Sequence, residues 1–232
     1  MEIIRSKAIW LKTLITLCLM VIISTSVVLA NTQDSRWKWC NSTDHYSMYY
    51  DTQTLKYDEA NQAVKVWIKV ENEKGEITSE LLTLISYRDK TETTLQSYLF
   101  KNGYPRPFNR GINVTNPIVP DSSIELLANK VGAQFNLKPV YPGGPNRWKW
   151  VYSTSNQTIS IATDCERYDS SSNTHTVWVK FTDLNGFHYV TPYYCNFTDE
   201  TIHSLTGTPT TILPDTKEEY IYNTAKELFD KS

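Results

Sequence analysis

The residue types that carry most enzyme chemistry are present in this chain, yet none keeps the company its chemistry needs. The four histidines, His45, His175, His188 and His203, show no two-ligand spacing along a helix, and none stands beside a nucleophile turn of the Gly-x-Ser-x-Gly kind. No glycine-rich loop is arranged to cradle a phosphate. The carboxylates are scattered or stand where helices begin, as Asp121, Glu125, Asp215 and Glu219 do, and there they favour the helix dipole. A glycosidase would need two facing carboxylates, which linear order neither supplies nor denies. The expectation is a protein with no catalytic residue, no metal site and no cofactor, and so not an enzyme.

Cysteine is read through the compartment. Residues 1–30 have the make-up of an export signal: Arg5, Lys7 and Lys12 precede an apolar run from Leu14 to Ala30, and Val28-Leu29-Ala30 suits a cleavage site. The alternative is an uncleaved anchor, but Ser24, Thr25 and Ser26 interrupt the run and no charged stop follows. Cleavage removes Cys18 and leaves Cys40, Cys165 and Cys195 in a setting where disulfides persist. The best pair is Cys165 with Cys195, whose loop closure is worth roughly 3 to 4 kcal/mol on the chain-entropy model; three free thiols is the alternative. Loss of the three basic residues and Glu2 leaves 20 basic against 24 acidic side chains, which argues against a nucleic-acid partner.

The tryptophans expose a duplication. Arg36–Lys69 laid over Arg147–Lys180, at an offset of 111 and without gaps, matches at 12 of 34 positions. Arg36-Trp37-Lys38-Trp39 recurs as Arg147-Trp148-Lys149-Trp150, and Val66-Trp67-Ile68-Lys69 as Val177-Trp178-Val179-Lys180. Ile118-Val119-Pro120-Asp121-Ser122 returns as Ile212-Leu213-Pro214-Asp215-Thr216, now at an offset of 94, so the second copy is 17 residues shorter in between. Tyr104–Pro117, with its prolines and Gly111, reads as loop. The segment 139–146, rich in Pro and Gly, reads as the linker between a first module, 31–138, and a second, 147–232.

Within each copy the elements follow from periodicity. Met48 and Tyr50, like Ile159 and Ile161, alternate with polar neighbours as one face of a half-buried strand. Val66, Ile68 and Val70 share the core face of the next strand, as do Val177, Val179 and Phe181. Asn185-Gly186 and Lys74-Gly75 mark hairpins. Ser122 with Glu125, and Thr216 with Glu219, have capping-box spacing before the stripes Ile124, Leu127, Val131 and Ile221, Ala225, Leu228; Gly132 is the natural stop of the first helix. The fold class is α+β: two tandem modules, each an antiparallel β-sheet closed by one C-terminal α-helix.

Alternation puts Trp67 with Lys65 and Lys69, and Trp178 with Lys180, on the face opposite the aliphatic stripe. Something must cover that face. Packing by the Trp-Lys-Trp strand or the final helix explains it most simply, because both copies share it. The alternative is an aromatic binding face made of Trp67, Lys69, Trp178 and Lys180. Trp37 with Trp39, and Trp148 with Trp150, are expected to pack as well. The Asn-x-Ser/Thr triplets at Asn41, Asn113, Asn156 and Asn196 read as chance in a chain rich in these residues.

The succession Trp-Lys-Trp, a Ser-Thr turn, a strand to Tyr-Asp, Val-Trp-Ile/Val-Lys and Ile-x-Pro-Asp-Ser/Thr before a helix resembles the surface-adhesin protein E family of exported bacterial proteins. The resemblance spans both copies and consists of sparse structural landmarks. It implies an antiparallel sheet with a C-terminal helix in each module, and an adhesin for host matrix or serum proteins. Adhesins of that family are single modules, whereas this chain has two, and no receptor-binding segment maps onto positions here. The functional expectation is an exported, non-enzymatic binding protein of a bacterial surface or envelope, without a transmembrane span in the mature chain. A cell-wall carbohydrate binder or a purely structural envelope protein is the alternative.

Overall fold

The computed structural model describes residues 36–230; the segment 1–30, read as an export signal, lies outside the described residues. Among the described residues, 39–230 form one compact unit. In the short stretch before it, Arg36 stands 5.6 Å from the Trp37 ring centroid.

Two antiparallel sheets each end in a helix. The first contains β1 (Trp37–Ser42), β2 (Tyr46–Asp51), β3 (Lys56–Asp58), β4 (Ala63–Asn72), β5 (Ile77–Ser86), β6 (Thr91–Lys101), β7 (Tyr104–Pro107) and β8 (Thr115–Pro117), and is followed by α1 (Ser123–Ala133). The second contains β9 (Trp148–Ser153), β10 (Gln157–Ala162), β11 (Arg167–Asp169), β12 (Thr174–Asp183), β13 (His188–Asn196), β14 (Thr201–Ser204) and β15 (Thr210–Thr211), followed by α2 (Lys217–Phe229). The strand orders are β1-β2-β4-β5-β6-β7 and β15-β14-β13-β12-β10-β9. Both boundaries of β1 to β4 recur in β9 to β12 at a displacement of 111 residues, so the duplication read in the side chains is also a duplication of backbone. Even the left-handed residues before the central strands correspond, Gln62 at φ 49° and Asn173 at φ 51°.

The aliphatic stripes face inward as their alternation requires. Val66 and Ile68 pack with Leu127 and Val131 of α1, while Val177, Val179 and Phe181 pack with Ile221 and Ala225 of α2. Both capping boxes form: Ser122 Oγ accepts from Glu125 N at 3.2 Å and Thr216 Oγ1 from Glu219 N at 3.3 Å. Both hairpins form too, with the left-handed conformation carried by glycine alone, at Gly75 (φ 75°) and Gly186 (φ 82°).

Two expectations need correction. Gly132 does not stop α1, which runs on to Ala133; the left-handed residue is Asn136 at φ 56°. Gly132 is instead where Tyr87 crosses the helix, donating to Ala128 O at 2.6 Å, and a Cβ at 132 would meet that ring at 2.8 Å. The stretch Tyr104–Pro117 is not all loop, because β7 extends β6 through the Asn102-Gly103 turn, where Pro105 and Pro107 are tolerated at a sheet edge. The longer hairpin of the first copy is thus built from most of the extra length. The segment 139–146, read as the linker, is packed: Val140 and Tyr141 are 5% and 2% exposed and belong to a core cluster that takes residues from both modules.

Candidate functional site

The repeat creates two equivalent outer sheet faces, and the chain treats them differently. On the second module, Trp178 is 3% exposed, and with Ala162 and Cys165 it joins the core cluster that holds α1 and Tyr141. Tyr141 donates to Ile118 O at 2.7 Å. Burial pushes its phenol well above the usual range. Trp178 is therefore covered by the connecting strap and the first helix rather than by its own final helix, while Lys180 lies over Trp148 of its own Trp-Lys-Trp strand.

Arg147 anchors this cover. Its Nη1 and Nη2 reach Glu125 Oε2 and Oε1 at 2.8 and 2.7 Å, its Nη1 also reaches Asp121 Oδ1 at 2.7 Å, and its Nε donates to Asp164 Oδ2 at 3.1 Å. Bidentate pairing of this kind is what a planar guanidinium does well. Trp148 Nε1 donates to Asp121 Oδ2 at 2.6 Å, and Lys180 Nζ stands 3.9 Å from the same atom and 4.1 Å from the Trp148 ring centroid. Hydrogen bonding to Glu125 raises the Arg147 pKa still further, so the guanidinium stays charged although it is 6% exposed. Burial of Asp164 works against its ionised form, but the Cys165 thiol, the Gly143 N–H and Arg147 outweigh it and hold the carboxyl below its ordinary value. Lys180 is lowered by burial and by Arg147, with Asp121 opposing.

Glu125 has a second duty. Its Oε2 accepts from the Asp121 N–H at 2.6 Å, which holds Asp121 at φ 61° just before the helix. The same bond recurs in the second copy, where Glu219 Oε2 accepts from Asp215 N at 2.8 Å with Asp215 at φ 60°.

On the first module the counterparts Trp67 and Lys69 are half-buried. Trp67 lies 6.1 Å from Tyr98 between ring centroids, while Lys69 stands 4.8 Å from the Tyr49 centroid and 2.7 Å from Glu71 Oε1. The four residues of the expected aromatic face are thus split between two faces: Trp67 and Lys69 on one, Trp178 and Lys180 under the strap. Trp39 and Trp150, expected to pack, are 54% and 61% exposed, each held by an indole hydrogen bond of 2.9 Å to Ser42 and Ser153.

The expected Cys165–Cys195 disulfide is absent. Cys165 faces the strap and donates to Asp164 Oδ1 at 2.9 Å, whereas Cys195 faces α2 in the other cluster, so the sheet lies between them. Burial raises both thiols, Cys165 also through its bond to Asp164, and Cys195 to about 12. Neither is an activated nucleophile. Among the described residues no group of His, Cys, Asp or Glu is arranged to hold a metal ion, and no helix is long and apolar enough to cross a membrane.

A cleft of about 230 Å³ opens beside the strap, lined by Lys90, Tyr141, Arg167, Trp178, Pro192 and Tyr194 among others. The Arg147 network and this cleft escape sequence reasoning, because the former joins residues read as helix-start charges to a residue read only as part of a repeat. The available signal was the recurrence of Arg before Trp-Lys-Trp together with Asp and Glu at matching helix starts. No family model matches this chain, and no curated protein or solved structure matches it.

Proposed function

We propose that this chain is an exported, non-enzymatic binding protein of a bacterial surface or envelope, an adhesin in the manner of the family it resembles. One observation carries the reading: of two equivalent tryptophan faces, one is used to join the modules while Trp67, Lys69, Tyr49 and Tyr98 stay on the outside of the other sheet. A partly buried aromatic surface with a lysine on it suits a protein partner, since aromatic anchors dominate such contacts. Host matrix or serum proteins are the partners this reading names. The test is binding of the mature chain to such proteins immobilised on a surface, with Trp67→Ala as the variant. Saturable binding that falls about tenfold or more in the variant is expected; binding no stronger than that of an unrelated acidic protein overturns the reading.

The inter-module cleft favours a second reading, a cell-wall carbohydrate binder. Aromatic walls from Tyr141, Trp178 and Tyr194 with Arg167 and Lys90 at the rim suit a small sugar. A glycan array without signal, or one unchanged by Arg167→Ala and Tyr194→Ala together, removes it.

A further inference from the structure

The joint between the modules is a docking event between two parts that each occur twice. The docked part is the start of a helix, Ile118-Val119-Pro120-Asp121 with Glu125, and it is deeply engaged: Ile118 is fully buried, Pro120 is buried and Glu125 is 4% exposed. The receiving part is the outer face carrying Trp178, Lys180 and Trp148. The second helix start repeats the docked part in sequence and in geometry, with the same cap, the same Glu-to-Asp N–H bond and the same left-handed aspartate. Yet it is uncovered: Leu213 is 64% exposed, and Pro214 and Asp215 are exposed with it. The outer face of the first module repeats the receiving part in Trp67 and Lys69. One chain thus presents a spare copy of each half of a contact it already makes.

We propose that these chains associate head to tail, the second helix start of one copy (Leu213 to Glu219) seating on the Trp67 and Lys69 face of the next copy. This rests on the reading that the Trp67 face takes a protein partner, and it names that partner as a second copy of the chain. The charges agree. Asp215, Glu218 and Glu219 would approach Lys69 and Lys65, as Asp121 approaches Lys180 within the chain at 3.9 Å. The apolar side agrees as well, with exposed Leu213 offered to Trp67, while its counterpart Val119 packs on the core cluster that contains Trp178. The two faces are not identical: Lys69 is already held by Glu71, whose counterpart is Thr182, and Tyr49 replaces Ser160. Docking must displace the Glu71 bond, so the association is weak and weakens further with salt. Because donor and receiver are different surfaces, the contact is heterologous and does not close on itself as a two-fold dimer.

Sedimentation velocity of the full mature chain over a concentration series, in low and high salt, tests this. The wild type is expected to form species that grow with concentration and shrink with salt. Asp215→Lys and Lys69→Glu should each weaken association about tenfold or more, and mixing the two variants should restore it, because each mixed contact pairs opposite charges. Leu213→Ser, which leaves the cap and all charges intact, should weaken it too; far-UV circular dichroism confirms that each variant is folded. A wild type that stays monomeric throughout, or association indifferent to all three substitutions, overturns the proposal. If the chain is monomeric but Trp67→Ala still abolishes binding to an immobilised protein, self-association fails while the reading of the face stands; if both fail, the face is not a partner surface.

Discussion

The two helix starts carry the same bonds and lead different lives. At the first, Glu125 closes a cap and at the same time takes two hydrogen bonds from a buried arginine; at the second, Glu219 closes the same cap in contact with solvent. The difference teaches that local sequence determines the motif, whereas the path of the chain beyond the helix determines its weight. After α1 the chain turns back through Tyr141 and delivers Arg147 onto the cap.

The sharpest way to break the comparison is to remove the charge that only one start uses. Arg147→Ala leaves Glu125 and Asp164 buried without their partner and should cost about 3 to 5 kcal/mol in urea unfolding. Glu125→Gln should cost more than Glu219→Gln, for which only the cap is at stake, at about 1 kcal/mol. Equal losses at the two glutamates would show that the arginine network adds nothing beyond capping. Arg147→Met tests the same point from the other side, since a well-packed apolar replacement can match a buried ion pair in stability.

The helices themselves offer the next contrast. Gly132 admits the Tyr87 ring, while the matching place in the second helix is Lys226 and the place of Tyr87 is taken by Thr198. Gly132→Ala should therefore destabilise by about 1 to 3 kcal/mol through overpacking, although alanine is the better helix former. Gly132→Ala combined with Tyr87→Leu should recover part of the loss if the ring is the cause; the thermal midpoint reports both.

The smallest effects are those of pH, and they separate the joint from the second core. Asp164 has a lowered folded pKa, so its contribution is present above its ordinary value of 3.8 and is lost as pH falls through the folded value; Asp164→Asn removes that dependence. His175, packed among Tyr168, Phe197 and Phe229, is lowered by burial. The unfolded chain therefore takes up its proton first, and stability falls as pH drops below about 6.5 toward the folded value. His175→Phe should flatten the mildly acidic limb of a stability–pH profile and leave the strongly acidic limb, where Asp164 acts, unchanged.

Much of this was legible in the chain. Alternation assigns Val66, Ile68, Val177 and Val179 inward, and Ser122 and Thr216 announce their helices, because these are properties of neighbours in sequence. The joint was not, since it depends on where a proline-rich segment lays one tyrosine. Composition reads such a segment as a spacer, and only the packed structure shows Tyr141 filling the space above Trp178. The cysteines fail for a related reason: membership of one module says nothing about which side of a sheet a side chain occupies. The prolines of β7 read as breakers, which holds for central strands and not for an edge.

The strap has a further consequence for the order of assembly. The bonds that tie Arg147 and Trp148 to the first module span 22 to 27 residues, whereas Cys40 to Lys130 and Lys149 to Glu227, which bring each module's first strand to its own helix, span 90 and 78. Closing short loops costs less entropy and happens earlier. On a chain growing from its N-terminus, the opening strand of the second module can dock on the finished first module before α2 has been synthesised. The first module would then act as the template on which the second sheet is laid down, so the duplicated halves, alike in backbone, would not fold as equals.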